Sequence, residues 1–419
     1  MTDPLEELRA ALAGGATGSA LASELAGLPL PDTFRAVVVR QPEEDPADAL
    51  RVEDVPVPPI APDEVLLAVM ASGLNYTTVW AALGWPVPTS RFLQRLGPPH
   101  DQPYHVVGSD AAGVILSVGA GVRRWKPGDR VVVNPSQVDT DEPEAHDDAL
   151  RAPSQRVWGY ETNFGGLAEL ALVKASQLLP KPAHLTWEEA GCLTLCSSTA
   201  YRMVVSRHGA AMKQGDVVLV WGATGGVGSF AVQYVKHGGG TAVGVVSSPE
   251  RAELARRLGC DAVIDRRADG YRFWRDEHTQ DEAEWRRFGS RIRELVGVDP
   301  DIVVEHPGRE TMGASVYVAR RGGTIVTCAA TTGYRLEIDA RHLWMRLKRI
   351  VGTQLANLSE AAASNRLVCE GVIRPTLSSV YSLEETGRAA AEMRANRHTG
   401  KLGVLCLAPA AGLGVETRP

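Results

Sequence analysis

The chain has 419 residues, more than one hydrophobic core ordinarily serves, and its 44% apolar content suffices for two, so two interlocked domains are expected. Basic (44) and acidic (50) residues are interspersed and sum to a net charge of −6, which leaves no surface built for a polyanion and argues against a nucleic-acid partner. The six cysteines (Cys192, Cys196, Cys260, Cys328, Cys369, Cys406) show no CxxC spacing, the opening MTDPLEEL carries acids where a secretory leader is basic, and no apolar run is long enough to cross a membrane; reduced thiols, a cytoplasmic location and no membrane partner are expected.

Residues 1–33 read as a helical, Ala/Gly-rich lead-in, and FRAVVVR from Phe34 to Arg40 as a first strand. To about Lys181 the chain alternates short β-rich runs with Pro and Gly: VEDVPVPPIAPDEVLLAVMASGLN, VGSDAAGVILSVGAGV, WKPGDRVVV and GGLAELALVKASQLLP. Turn-punctuated short strands of this kind suggest a compact, partly barrel-like domain that holds substrate. The texture then changes: LTWEEAGCLTLCSSTAYRMV is helical in pattern, and DVVLVWGATGGVGSFAVQYVKHGGGTAVGVVSS runs strand, Gly turn, helix, strand, as a dinucleotide fold opens. Further strands are expected in DAVID (Asp261–Asp265), DIVVEH (Asp301–His306), GGTIVTCA (Gly322–Ala329) and RIVGTQ (Arg349–Gln354), before a helix, EETGRAAAEMRANR, and a last strand, KLGVLCLA, return to the first domain. The expected division is therefore 1–33 as lead-in, 34–195 with 378–419 as the substrate domain, and 196–377 as the nucleotide domain. Arg266 to Gly297 is long, charged and aromatic and reads as an insertion in the latter: a solvated surface helix, or else a subunit interface or CoA contact.

Gly222, Thr224, Gly225, Gly226, Val227 and Gly228 form a turn between the apolar strand VVLVW and an apolar helix. Glycines let the backbone approach a pyrophosphate, and the N–H groups and dipole at the helix start favour its charge, so this is the expected cofactor site. At the end of the next strand an NAD enzyme usually places an acid for the ribose 2′-hydroxyl. Here stand Ser247, Ser248 and Arg251, donors that suit a 2′-phosphate, and NADPH is the expected cofactor; Glu250 lies beyond the strand, where it can open a helix. Zinc alcohol dehydrogenases of the same two-domain pattern need several Cys, His or acidic ligands. Asn75 and Ser109 stand where those enzymes place a cysteine and a histidine, Cys196 alone cannot hold zinc, and no metal is expected. Hydride addition to a double bond conjugated with a thioester remains open without one, because hydrogen-bond donors can bear the enolate charge.

The motifs GLNYTTVW (Gly73–Trp80), PYHVVGSDAAG (Pro103–Gly113), VWGYETNFGGLAE (Val157–Glu169), LTWEEAGC (Leu185–Cys192), TAYRM (Thr199–Met203), VEHPG (Val304–Gly308) and DARHLWMRLKRIVGTQLANL (Asp339–Leu358) occur in one order along the chain. From Phe34 onward it thereby resembles the crotonyl-CoA carboxylase/reductases, zinc-free members of the medium-chain dehydrogenase/reductase superfamily that supply extender units for polyketide synthesis. The resemblance implies an α/β fold: a GroES-like, partly open β-barrel catalytic domain and a Rossmann, doubly wound nucleotide-binding domain. It implies that NADPH reduces the β-carbon of an enoyl-CoA and that the α-carbon enolate attacks CO2, giving an alkylmalonyl-CoA. A homodimer or homotetramer is implied, as is a cofactor contact at Thr199.

Family members handle CO2 with an Asn, a Phe-Glu pair and a His. Asn75 and Glu161 match two of these, Tyr160 stands for the Phe, and Gln354, in GTQLA, stands for the His. An amide donates and accepts hydrogen bonds but does not titrate near neutrality, so carboxylation can persist with Gln354 orienting CO2 or give way to protonation of the enolate. Plainer roles exist for each: Asn75 capping a turn, Glu161 pairing with a base, Gln354 decorating a strand. Arg346, Lys348 and Arg349 suit CoA phosphates or a solvated face equally, and His306 and His342 are assigned no catalytic role. Two other functions stay open, an enoyl-thioester reductase that does not carboxylate and a nucleotide-binding protein without catalysis.

Overall fold

Glu64–Leu74, an eleven-residue run of mostly small and branched apolar side chains, is buried along its whole length because it has three strand partners. In the computed structural model, which describes residues 4–13 and 18–416, this strand is the spine of the first of two compact units. Part of the lead-in, residues 1–3 and 14–17, lies outside the described residues; what is described of it forms helices Pro4–Ala13 and Gly18–Ala26. The seven-stranded sheet runs Leu178–Pro180, Arg130–Val133, Ala112–Val118, Glu64–Leu74, Lys401–Leu405, Leu377–Ser382, with Leu170–Lys174 also paired to Glu64–Leu74. Register shifts at Leu66/Leu67 and Val69/Ala71 in its pairing with Ala112–Val118 bend the spine, whose other edge passes from Leu170–Lys174 to Lys401–Leu405, and the sheet curls into a partly open barrel around Val65, Leu67, Val69, Ile115, Val131 and Trp158. The final strand pairs Leu402 with Leu74 and so sets Lys401 beside the end of the spine.

The first unit takes the chain to Leu195, then Asn357–Gly371 and everything from Pro375 on. The return comes earlier than residue 378: Asn357 caps helix Leu358–Cys369 and donates to Asp148 at 3.2 Å, and Asn365 donates to Pro180 O at 2.9 Å, which ties that helix to the barrel unit.

The second unit, Cys196–Ala356 with Val372–Arg374, holds a six-stranded parallel sheet in the order Ala262–Asp265, Thr241–Val246, Val217–Trp221, Ile302–Glu305, Thr324–Thr327, Arg349–Gly352. This is the doubly wound order with its switch beside the first strand, and the unbroken apolar runs VVLVW and IVVE are what strands covered on both faces require.

The insertion is neither a plain solvated helix nor, in its aromatic half, a surface available to a ligand. Asp281 caps helix Glu282–Val296, whose Trp285, Phe288 and Ile292 are buried with Tyr271 and Phe273 against one face of the parallel sheet. Phe288 stacks on Trp221 with ring centroids 5.3 Å apart, directly before the glycine turn. Only the outward face carries the charges, in short-range pairs such as Arg287–Glu284 and Arg291–Glu294 that contribute little. The aromatic residues thus extend the core beneath the nucleotide turn.

Candidate active site

The strand Val217–Trp221 delivers the chain into the turn and helix Gly226–His237 carries it away. Gly222 has φ +54, a left-handed conformation, and its N-terminal neighbour's carbonyl accepts a 2.9 Å bond from His306 Nε2. Burial holds the His306 imidazole below its usual pKa, and a Cβ on Gly222 would lie 2.9 Å from its Nε2. His306 therefore props the turn from below. At Gly228 a Cβ would lie 2.2 Å from the Gly222 carbonyl oxygen, so helix and turn meet backbone to backbone. Thr224 is buried beside them, Gly225 is the N-cap, and Gly226 and Val227 open the helix, where N–H groups lack helical acceptors. This cradle suits a pyrophosphate.

Beyond the next strand, Arg251 Nη1 donates to Ser247 Oγ at 3.1 Å, while Ser248 Oγ accepts the Arg251 backbone N–H as the cap of helix Pro249–Arg257. Ser247 and Arg251 thus form a donor pair and Ser248 is occupied locally; Glu250 is an acid in the first helical turn. Burial lowers the Arg251 pKa, and the nearby charge of Arg267 lowers it further. Arg267 was not legible from its own surroundings. It follows Ala262–Asp265, which pairs in parallel with Thr241–Val246 and ends opposite Val246, so two guanidinium groups gather where a 2′-phosphate would add the charge they lack.

Glu305, next to His306, accepts from Gly308 N at 2.9 Å and from the hydroxyls of Thr311 (2.7 Å) and Ser315 (2.5 Å), the latter also accepting from Trp221 Nε1 at 2.8 Å. Complete burial outweighs those donors and pushes its pKa from 4.5 up to about 7. The folded state then holds the proton where the unfolded chain releases it, so stability falls as pH rises from about 4.5 to about 7 and levels off above. Glu305→Gln, neutral throughout, is expected to lack this fall, the gap from wild type changing by about 3 kcal/mol across the window. Melting temperatures of both proteins between pH 4.5 and 8 check it; parallel curves would mean that the carboxyl is ionised in the folded state.

In the first unit Asn75 occupies the N-cap of helix Tyr76–Leu83 yet its side chain makes no cap bond. Instead Nδ2 donates to Asp110 Oδ2 at 2.8 Å and to Gly73 O at 3.2 Å, and Oδ1 accepts from Lys401 Nζ. Lys401 Nζ also donates to Leu74 O (2.9 Å) and Asp110 Oδ2 (3.0 Å), with both charged side chains buried. Ser109 Oγ shares a 3.1 Å bond with Thr77 Oγ1. Where a zinc dehydrogenase would gather ligands, this chain places an amide, hydroxyls and one carboxylate, Asp110, already paired with the Lys401 ammonium. An ammonium offers no lone pair and repels a cation, so the donor set does not suit a metal.

Glu161 Oε2 accepts the Val157 N–H at 2.8 Å, and burial raises its pKa above the usual carboxylate value. One oxygen thus closes a tight turn. Tyr160 lies against the Phe92 ring at 6.1 Å, and its hydroxyl, which a phenylalanine would lack, donates to Trp85 O at 2.5 Å. Gln354 belongs to the second unit, exposed just beyond strand Arg349–Gly352, and Thr199 is buried in helix Thr194–Val204. The basic stretch is partly spoken for: Lys348 Nζ donates to Val316 O (2.6 Å) and Tyr317 O (3.0 Å), burial brings its pKa down to about 8, and Arg349 Nη2 donates to Thr324 Oγ1 at 2.9 Å.

Residues 61–183 match the alcohol dehydrogenase GroES-like domain family and residues 226–368 the zinc-binding dehydrogenase family. A crotonyl-CoA reductase of Streptomyces collinus is 56% identical over 95% of this chain and 93% of its own length. A crotonyl-CoA carboxylase/reductase of Cereibacter sphaeroides is 41% identical over 91% of this chain and 89% of its own. Among solved structures, the 2-octenoyl-CoA carboxylase reductase CinF, in complex with NADP and 2-octenoyl-CoA, superposes with a TM-score of 0.92 at 50% identity, over 99% of this chain and 95% of that one. The crotonyl-CoA carboxylase/reductase AntE in complex with NADP gives 0.85 at 40% identity, over 91% and 96%.

Proposed function

The chain belongs to the crotonyl-CoA carboxylase/reductase family, and from that premise we propose that it catalyses the NADPH-dependent reductive carboxylation of a 2-enoyl-CoA to an alkylmalonyl-CoA. The likeness to CinF, a chain half identical over nearly its whole length and solved with NADP and 2-octenoyl-CoA, is the observation that carries this function. The glycine cradle from Gly222 to Gly228 would hold the pyrophosphate, and Ser247, Arg251 and Arg267 the 2′-phosphate. Bound NADPH supplies hydride to the β-carbon of the conjugated thioester.

The rest falls to the chain's own side chains. With the α-carbon electron-rich, the product depends on whether CO2 or a proton reaches it first. Asn75, its carboxamide fixed by buried partners, would hold a CO2 oxygen; the Tyr160 ring, packed on Phe92, and the half-buried Glu161, closing the tight turn, would narrow the access of water that protonates the enolate. Gln354 offers an amide in place of a titrating imidazole and orients CO2 by hydrogen bonding.

Incubating the protein with NADPH and crotonyl-CoA, with and without bicarbonate, and resolving the acyl-CoA products by mass spectrometry tests this. Ethylmalonyl-CoA is expected as the main product at saturating bicarbonate. Butyryl-CoA alone would leave an enoyl-CoA reductase, and NADPH binding without turnover of crotonyl-CoA or any longer 2-enoyl-CoA a binding protein.

A homodimer or homotetramer is also proposed, supported by the exposed Trp344, Met345, Leu347 and Ile350 at and before the edge strand of the parallel sheet. A cytoplasmic location accords with six free cysteines. Among the described residues no helix is long and apolar enough to cross a membrane.

A further inference from the structure

We propose that Lys401 and Asp110 are positioning residues for carboxylation, fixing the Asn75 carboxamide in one orientation and neutralising the charge behind it. The assignment rests on Asn75 as the contact for CO2, as proposed above.

An isolated asparagine amide can turn over, exchanging its donor and acceptor ends. Here it cannot. Lys401 Nζ has only hydrogens to offer and must face Oδ1, while Asp110 Oδ2 and Gly73 O have only lone pairs and must face Nδ2. A turned amide would set its NH2 against an ammonium and its oxygen against a carboxylate and a carbonyl, all out of reach of water. Asp110 is itself fixed through Oδ1, which accepts from Thr194 Oγ1 and Leu195 N, both at 2.8 Å. Of the two amide hydrogens, the one on Gly73 O makes the longer bond, 3.2 Å, and is the one that can be shared with an incoming oxygen.

Charge matters as well as orientation. Carboxylation turns neutral CO2 into a carboxylate, and Asp110 lies one hydrogen bond behind the amide that would receive it. With Lys401 in place the pair is neutral overall, and the ammonium on Oδ1 draws electron density from the amide and strengthens its N–H donors. Without Lys401 an unpaired buried carboxylate would oppose the developing charge. Hydride addition puts its charge on the thioester oxygen, and carboxylation moves that charge to the new carboxylate beside Asn75, so the effect falls on the choice between CO2 and a proton.

The test is the ratio of ethylmalonyl-CoA to butyryl-CoA formed from crotonyl-CoA at fixed NADPH and bicarbonate, a quantity that does not depend on how much of the preparation is folded. Lys401→Met is expected to lower the ratio about tenfold or more, and Lys401→Arg, which keeps the charge, to restore most of it. A wild-type ratio in Lys401→Met would overturn the assignment. If that variant does not fold, Lys401→Gln, which also removes the charge, serves in its place, a lowered ratio supporting the assignment and an unchanged one overturning it. Wild-type protein that yields only butyryl-CoA removes the proposed carboxylation and this role with it, an outcome read before any variant is made.

Discussion

Gly228→Val is expected to abolish measurable NADPH binding, weakening it by about a hundredfold or more. A Cβ at this position would lie 2.2 Å from the Gly222 carbonyl oxygen, 2.9 Å from its carbon and 3.1 Å from Ala223 Cα. All three are backbone atoms, so no side chain can swing away, and relief must come from separating the helix start from the turn. That movement carries the N–H groups off the pyrophosphate. Gly225→Ala provides the contrast, since its Cβ would meet nothing closer than the Gly222 oxygen at 3.3 Å, and a much smaller loss is expected. Titration of both variants by the fluorescence of NADPH checks this; wild-type affinity in Gly228→Val would show that the cofactor is gripped elsewhere.

Arg251→Ala is expected to weaken NADPH binding by about ten- to a hundredfold and to leave NADH nearly unaffected, collapsing the preference between them. The side chain is held by Ser247 and sits in the field of Arg267. Two neighbouring guanidinium groups repel until a phosphate lies between them, so a dinucleotide without the 2′-phosphate gains nothing from either. Comparing kcat/KM for the two cofactors measures the effect, and equal losses on both would assign Arg251 to the fold.

Much of the nucleotide unit was legible because its signals are local. The strand, glycine turn and helix from Val217 to His237 are contiguous, and the five residues from Ser247 to Arg251 run from a strand end through an N-cap into the first turn of a helix. Each depends on spacing that a one-dimensional reading retains. Arg267 was missed for the complementary reason: its charge reaches Arg251 because two parallel strands end side by side. The insertion misled through composition. Its charges and its aromatics occupy opposite faces of one helix, and the charges, being more numerous, concealed Phe288 and Trp285 in the core.

Asn75 shows the same division most sharply. Its sequence setting left turn-capping and catalysis both open, and it stands at a helix start, where a cap is the plainer role. The side chain instead bonds with Asp110 and Lys401, which stand 291 positions apart and meet because the last strand pairs with the spine at Leu402 and Leu74. The order of residues alone therefore determined the family, the two-domain pattern and the glycine turn, all of which rest on short-range geometry and on motifs kept in order. Which buried polar groups partner one another was decided only by strand register and the exclusion of water, since a charge inside a protein must find its counterpart wherever the fold brings one.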